Sequence, residues 1–245
     1  MGSGYYAAFT GLAARMDALD VVANNLANIS TTGYRGQNEF YDAVTASSEP
    51  QALSPLNAAI NDYGVLGGSS INFAQGNLQK FGNNLDLAIK GSGFFVVQTP
   101  RGVRYTRNGA FHVSAAGQLV DEQEDPVLNP RNLPIQVPLG TVAVAQDGTV
   151  SVDSAVAGQL QVAEFAPETQ LTPEGDTNFI APAGAARPAQ NSTVAAGMLE
   201  SSNLNPIQET VTLMVLQRHA EMLEKALSIF LDDFNRTAVQ ELAID

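Results

Sequence analysis

The sequence predicts a mainly β body carrying long N- and C-terminal α-helices that pair with each other as a coiled coil. Three observations predict it. Glycine and proline are absent from residues 12–32 and from everything after Pro206, yet frequent between; both are costly inside a helix. Apolar residues recur at alternating spacings of four and three at both ends, the seam of a coiled coil. The centre alternates apolar and polar residues in short runs bounded by Gly, Asn and Asp, which is strand periodicity.

The N-terminal helix is expected over residues 4–29. Its seam is Tyr5, Phe9, Leu12, Met16, Leu19, Ala23 and Leu26, with Asn24, Asn25 and Asn28 on the flank and Ser30-Thr31-Thr32-Gly33 as the stop. The C-terminal helix is longer, with a seam of Leu213, Leu216, Ala220, Leu223, Leu227, Phe230 and Phe234. Asn205 suits its N-cap and Pro206 its first helical position. A second row, Val211, Val215, Met222, Ala226 and Ile229, widens its apolar face. The two stripes read as partners of each other. One apolar face per pair is then left for further neighbours, so assembly is expected. The Asn residues carry donors and acceptors at no net charge. They are expected to meet a neighbouring helix, so that Asn25→Ala leaves the monomer's stability unchanged.

In the centre, Leu85–Ile89, Gly93–Val97, Gly102–Arg107, Gly109–Val113 and Gln159–Phe165 read as strands. Val142–Gln146 and Thr149–Val152 flank Asp147-Gly148, a pair suited to the positive φ angles of a type I′ hairpin turn. The body is expected to be a sandwich or irregular barrel. Residues 42–75 and 166–196 are poor in charge and rich in Ala, Ser, Asn, Pro and Gly, and read as long irregular connections.

Composition excludes several functions. The chain has 245 residues, with 12 Lys and Arg against 25 Asp and Glu, a formal charge of −13. A nucleic-acid footprint needs a basic stripe, and Arg101, Arg104 and Arg107 are too thin a set to supply one. An acidic chain is also a poor partner for anionic lipid, and no run reaches the ~18 apolar residues of a membrane helix. The N-terminus has no basic region of a signal peptide, so any export uses a route without a cleaved signal. There is no cysteine, hence no thiolate metal site, disulfide or Cys nucleophile. His112 and His219 stand far apart, and Asp121-Glu122-Gln123-Glu124-Asp125 lacks the spacing of a calcium loop. Gly91-Ser92-Gly93 leads into a strand where a dinucleotide loop requires a helix. No nucleophile elbow or Walker loop is present. The residues argue for a structural protein without metal or cofactor and against an enzyme.

Four stretches carry a resemblance. Ala23–Arg35 (ANNLANISTTGYR) resembles the N-terminal signature of bacterial flagellar rod and hook proteins. Gln75-Gly76-Asn77-Leu78 with Asn84–Phe95, then Tyr105–Phe111 followed by Gly117–Val120, are similar to their central motifs. Glu200–Pro206 with Gln217-Arg218 resembles their C-terminal signature. The resemblance implies a flagellar axial architecture, with terminal helices forming an inner tube and the β domain outside. It implies export by the flagellar type III apparatus and helical stacking with itself and with neighbouring rod and hook proteins. It places the chain in the basal-body rod, where it crosses the periplasm. The parts expected are residues 1–35 (helix and signature), 36–80 (extended connection), 81–200 (β-rich domain) and 201–245 (C-terminal helix). The short β region argues against the hook protein. Ala220 stands where distal-rod and hook types usually carry Tyr, which favours the proximal-rod type over the distal. The alternative is a secreted, non-enzymatic adhesin or binding module, which leaves the heptads at both ends without a reason.

Overall fold

Helix α1 (Gly2–Ala27) opens the chain and helix α2 (Pro206–Leu242) closes it, with the strands between them. This computed structural model describes residues 2–42, 65–166, 169–175 and 177–242. The side chains described are those of residues 9–38, 70–166, 169–175, 177–229, 231, 232 and 236. The chain forms two units, one of residues 1–27, 37–70 and 205–245, the other of residues 28–36 and 71–204.

In the first unit α1 packs along α2, beside a two-stranded sheet of β1 (Gln37–Asp42) and β2 (Val65–Ile71). The start of α2 is fixed as its sequence predicts. Asn205 Oδ1 accepts the backbone N–H of Ile207 at 3.0 Å, and Pro206 takes the first helical position, where no N–H is needed. Leu216, Ala220 and Leu227 are buried, and Leu213 and Leu223 are half-buried, as the seam predicts. On α1 the buried line is Gly11, Ala14, Ala18, Val22 and Asn25, one residue off the predicted seam. One residue is about 100° of helix rotation. Leu12, Leu19 and Leu26 are therefore half-buried flanks, and Phe9 and Met16 are 54% and 55% exposed. Interaxial distance depends on the side chains at the contact, and the small face allows the closer approach. The large residues mark the opposite side of the helix. The side chains of Tyr5, Phe230 and Phe234 lie outside the described residues.

The second unit is built on a six-stranded antiparallel sheet. Its order is β13 (Thr172–Gly175), β14 (Asn178–Ile180), β6 (Gly102–Thr106), β5 (Phe94–Thr99), β12 (Val162–Glu164) and β15 (Arg187–Pro188). The run Phe94–Val97 is buried throughout because the sheet is covered on both faces. Phe95 and Val97 join the main core with Leu87, Ile89, Leu119, Val127, Ile135, Val150 and Val194. Phe94 turns the other way to Leu171 and Phe179, and Val96 to Leu128 and Ala163. Strands β4 (Leu87–Lys90) and β16 (Thr193–Ala196) pair, as do β3 (Leu78–Lys80) and β17 (Met198–Glu200), and β7 (His112–Val113) and β8 (Leu119–Val120).

Three expectations change here. The Asp147-Gly148 hairpin exists between β9 (Val142–Val144) and β10 (Thr149–Val152), but only Gly148 has positive φ. The Gly148 N–H reaches the Ala145 carbonyl at 3.0 Å, so a type I turn ends on a left-handed glycine. The type I′ geometry falls instead at Asp153-Ser154, with φ of 48° and 72°, joining β10 to β11 (Ala155–Gln159). Gln159–Phe165 is not one strand, because β11 ends at Gln159 and β12 begins at Val162 on another sheet. Residues 166–196, read as irregular, contribute β13 to β16.

Candidate assembly faces and a buried polar junction

The apolar residues of the two helices divide into two sets. One is used within the chain: Leu216 with its neighbours Leu213 and Leu19 packs on Ala18 and Val22. The other faces outward. On α1 it is Phe9, Met16 and Ala23, seven residues apart. On α2 it is Val215, Met222 and Ile229, again seven apart, with Val211 exposed beside them and Ala226 half-buried. A repeat of seven keeps each row on one side of its helix.

The three asparagines part company. Asn24 is exposed and Asn28 half-buried, the latter closing a turn by accepting the Thr31 N–H on its carbonyl at 3.0 Å. Asn25 is 2% exposed. Its side-chain amide pairs with the backbone of Gln37 as a strand would. Oδ1 accepts the Gln37 N–H at 2.9 Å and Nδ2 donates to the Gln37 carbonyl at 2.8 Å. The expectation that Asn25→Ala is neutral in the monomer therefore reverses. Losing this amide removes two hydrogen bonds from the half-buried Gln37. The helical unit should lose about 1–3 kcal/mol, read as a lower thermal midpoint of the monomer.

The second unit holds an arrangement that sequence reasoning missed. Glu200 is fully buried. Arg35 Nη2 lies 2.7 Å from its Oε1, and Arg107 Nη1 lies 3.3 Å from its Oε2, with both arginine side chains buried. Oε1 also accepts the Gly76 N–H at 2.7 Å, and the Glu200 carbonyl accepts the Gly33 N–H at 2.7 Å. Arg35 Nη1 donates to the Ala74 carbonyl at 2.6 Å. Arg107 Nη2 donates to the Gly91 carbonyl at 2.7 Å, and its guanidinium carbon stands 4.8 Å from the Phe94 ring centroid. Three residues on, Asn203 repeats the pattern. Its Oδ1 accepts the Gly36 N–H at 2.9 Å, and its Nδ2 donates to the carbonyls of Asn72 and Ala74 at 2.8 and 2.9 Å.

Two buried cations face one buried anion. Burial lowers the Arg35 pKa, against the opposing pull of Glu200. Burial and then the Arg35 charge bring Arg107 down to about 10, while Glu200 and Glu164 push it back up. Nothing in the cluster is a nucleophile poised beside a base; its chemistry is cross-linking. Pieces of all four signature stretches meet in it, from Gly33–Arg35, Gly76, Arg107 and Glu200–Asn203. Their scarcity of charge was the available signal. Arg35 is the only charged residue in 21–38, and Glu200 the only one in 188–208.

The other candidates have structural tasks. Asp121 is buried and its Oδ1 accepts the N–H groups of Gln123 and Asp125, so it shapes its own turn. His112 lies 3.1 Å from Glu124 in an exposed pair. Gly93 is a packing glycine, since a Cβ there would come within 2.5 Å of Val162.

Residues 6–35 match the family described as flagella basal body rod protein. Residues 88–152 match the flagellar hook protein FlgE/F/G D1 domain. The chain is 32% identical to the flagellar basal-body rod protein FlgF of Caulobacter vibrioides, over 96% of this chain and 97% of that one. It is 33% identical to FlgG of Agrobacterium fabrum, over 90% of this chain and 92% of that one. A second FlgF, from Mesorhizobium japonicum, is 28% identical, over 90% of each chain.

Proposed function

Since the chain belongs to the flagellar basal-body rod protein family, we propose that it stacks helically with copies of itself and with adjoining rod and hook proteins through α1 and α2. Membership makes it a structural, non-enzymatic subunit of the basal-body rod and replaces the adhesin alternative. The finer reading rests on the outward apolar rows. α1 and α2 already cover one another along one face, and each still exposes a second row with a seven-residue repeat. Contiguous exposed apolar surface marks an interaction site. Row Phe9–Met16–Ala23 of one copy and row Val215–Met222–Ile229 of the next share one repeat and so can interlock without a change of register. Asn24 joins this outer set, while Asn25 supports it by fixing Gln37. The subunit reaches the rod through the flagellar type III apparatus without a cleaved signal, and is of the proximal type. Ala220 supports the last point: it is buried in the face of α2 that carries Leu216 and Leu227, where a tyrosine ring would need room.

Met222→Asp tests the assembly reading. Met222 is 60% exposed, so the monomer should keep its stability within about 0.5 kcal/mol. In the rod the carboxylate would be desolvated without a partner, which costs several kcal/mol, and rods and motility should be lost. Normal rods with Met222→Asp would remove the outer row from the interface.

A further inference from the structure

The junction around Glu200 and Asn203 draws together residues 28–36 and 72–77. Residues 28–36 place no described side chain in the hydrophobic clusters of the β unit, and residues 72–77 add only the partly exposed ring of Phe73 against Phe94 and Phe179. These two segments are held by polar bonds that converge on two side chains and on the Arg35 ion pair. Each is also tied to the other, since the Asn72 N–H donates to the Gly36 carbonyl at 2.8 Å. The chain passes between its two units after residues 27, 36, 70 and 204. The first three fall at or beside the ends of the two held segments, and the fourth follows Asn203 directly.

We propose that this junction is a latch: residues 28–36 and 72–77 leave and rejoin the β unit together, while its apolar core stays folded. Two physical reasons separate it from the core. Opening returns three buried charges to water, which recovers desolvation energy that an apolar contact never had to spend. Opening exposes almost no aliphatic surface, so the hydrophobic term that holds the core is untouched. Because Arg35 bonds the Ala74 carbonyl and the Asn72 N–H bonds the Gly36 carbonyl, losing one segment removes partners of the other, and the two open as one cooperative unit. In the open state the connections after residues 27, 36 and 70 are released at once.

Native-state amide hydrogen exchange on the full chain tests this. In the wild type the Gly33, Gly36, Asn72 and Gly76 amides should share one opening free energy, below that of Phe95 and Val97 in the core. Asn203→Ala removes the acceptor of Gly36 directly and leaves the acceptors of Gly33 and Gly76 in place. All four latch amides should nonetheless exchange about tenfold faster, and Phe95 and Val97 by the same factor, because the latch is open in the unfolded chain too; the gap between the two sets is kept. Faster exchange at Gly36 and Asn72 alone would show independent contacts and overturn the latch. Latch amides with the same opening free energy as Phe95 and Val97 in the wild type would make the junction part of global unfolding and overturn it too. The wild-type measurement decides between the same outcomes if the variant does not fold.

Discussion

Glu200→Gln should destabilise the β unit by about 3–5 kcal/mol, the cost of removing one partner from a buried ion cluster. Glutamine fills the same space and can still accept the Gly76 N–H. It cannot neutralise Arg35 and Arg107, which would be left as two buried like charges. For a unit of this size the thermal midpoint should fall on the order of 10 °C, followed by circular dichroism in the strand region. Added salt should restore little of the loss, because buried pairs are screened weakly. Replacing all three side chains together by apolar ones of similar volume should recover part of it, since buried ion clusters often exchange for packed apolar residues at little cost. If Glu200→Gln melts like wild type, the two guanidinium groups do not depend on this carboxylate.

Gly33→Ala should cost about 3 kcal/mol or more. Gly33 has φ of 69°, and a Cβ there would stand 2.3 Å from the backbone nitrogen of Asn108. The left-handed conformation alone costs roughly 1–2 kcal/mol for an alanine. The overlap is with main chain, which no side-chain rotation relieves, so residues 31–36 must shift and loosen the hold of Glu200 on Arg35. Urea unfolding should show a lower midpoint with an unchanged slope. A variant as stable as wild type would mean that residues 31–36 do not lie against Asn108.

The helices and the β body were legible because hydrophobic period is a strong local signal. The N-cap of α2 was legible because Asn205-Pro206 acts within one turn. The rotation of α1 was not. Large residues at heptad spacing could face either the partner helix or a neighbouring copy, and only the packing of Ala18 and Val22 on Leu216 decides. The hairpin turn was misread because Asp147-Gly148 fits two turn types that differ at Asp147, whose carboxylate accepts the Thr149 N–H at 2.9 Å. The pairing of charges in the junction was not legible for a different reason. Arg35, Arg107 and Glu200 lie far apart in the chain, and periodicity carries no information about which distant charges meet. Asn25 was assigned to a neighbour because it sits on the flank of the predicted seam; its partner, Gln37, lies just past the signature.

Helix α2 is finished at one end and open at the other. Asn205 and Glu209 furnish its first turn, while its last turn carries no basic residue to meet the negative end of the helix dipole. Nucleation is the costly step in helix formation and elongation the cheap one. The first turn of α2 is thus a built-in nucleus, and lengthening runs away from it residue by residue. A subunit arriving with only the start of this helix formed can complete the remainder on a neighbour that is already in place. Under the stacking proposed above, growth of the helix and growth of the filament become one zippering event, whose rate depends on the surface offered by the subunit before it.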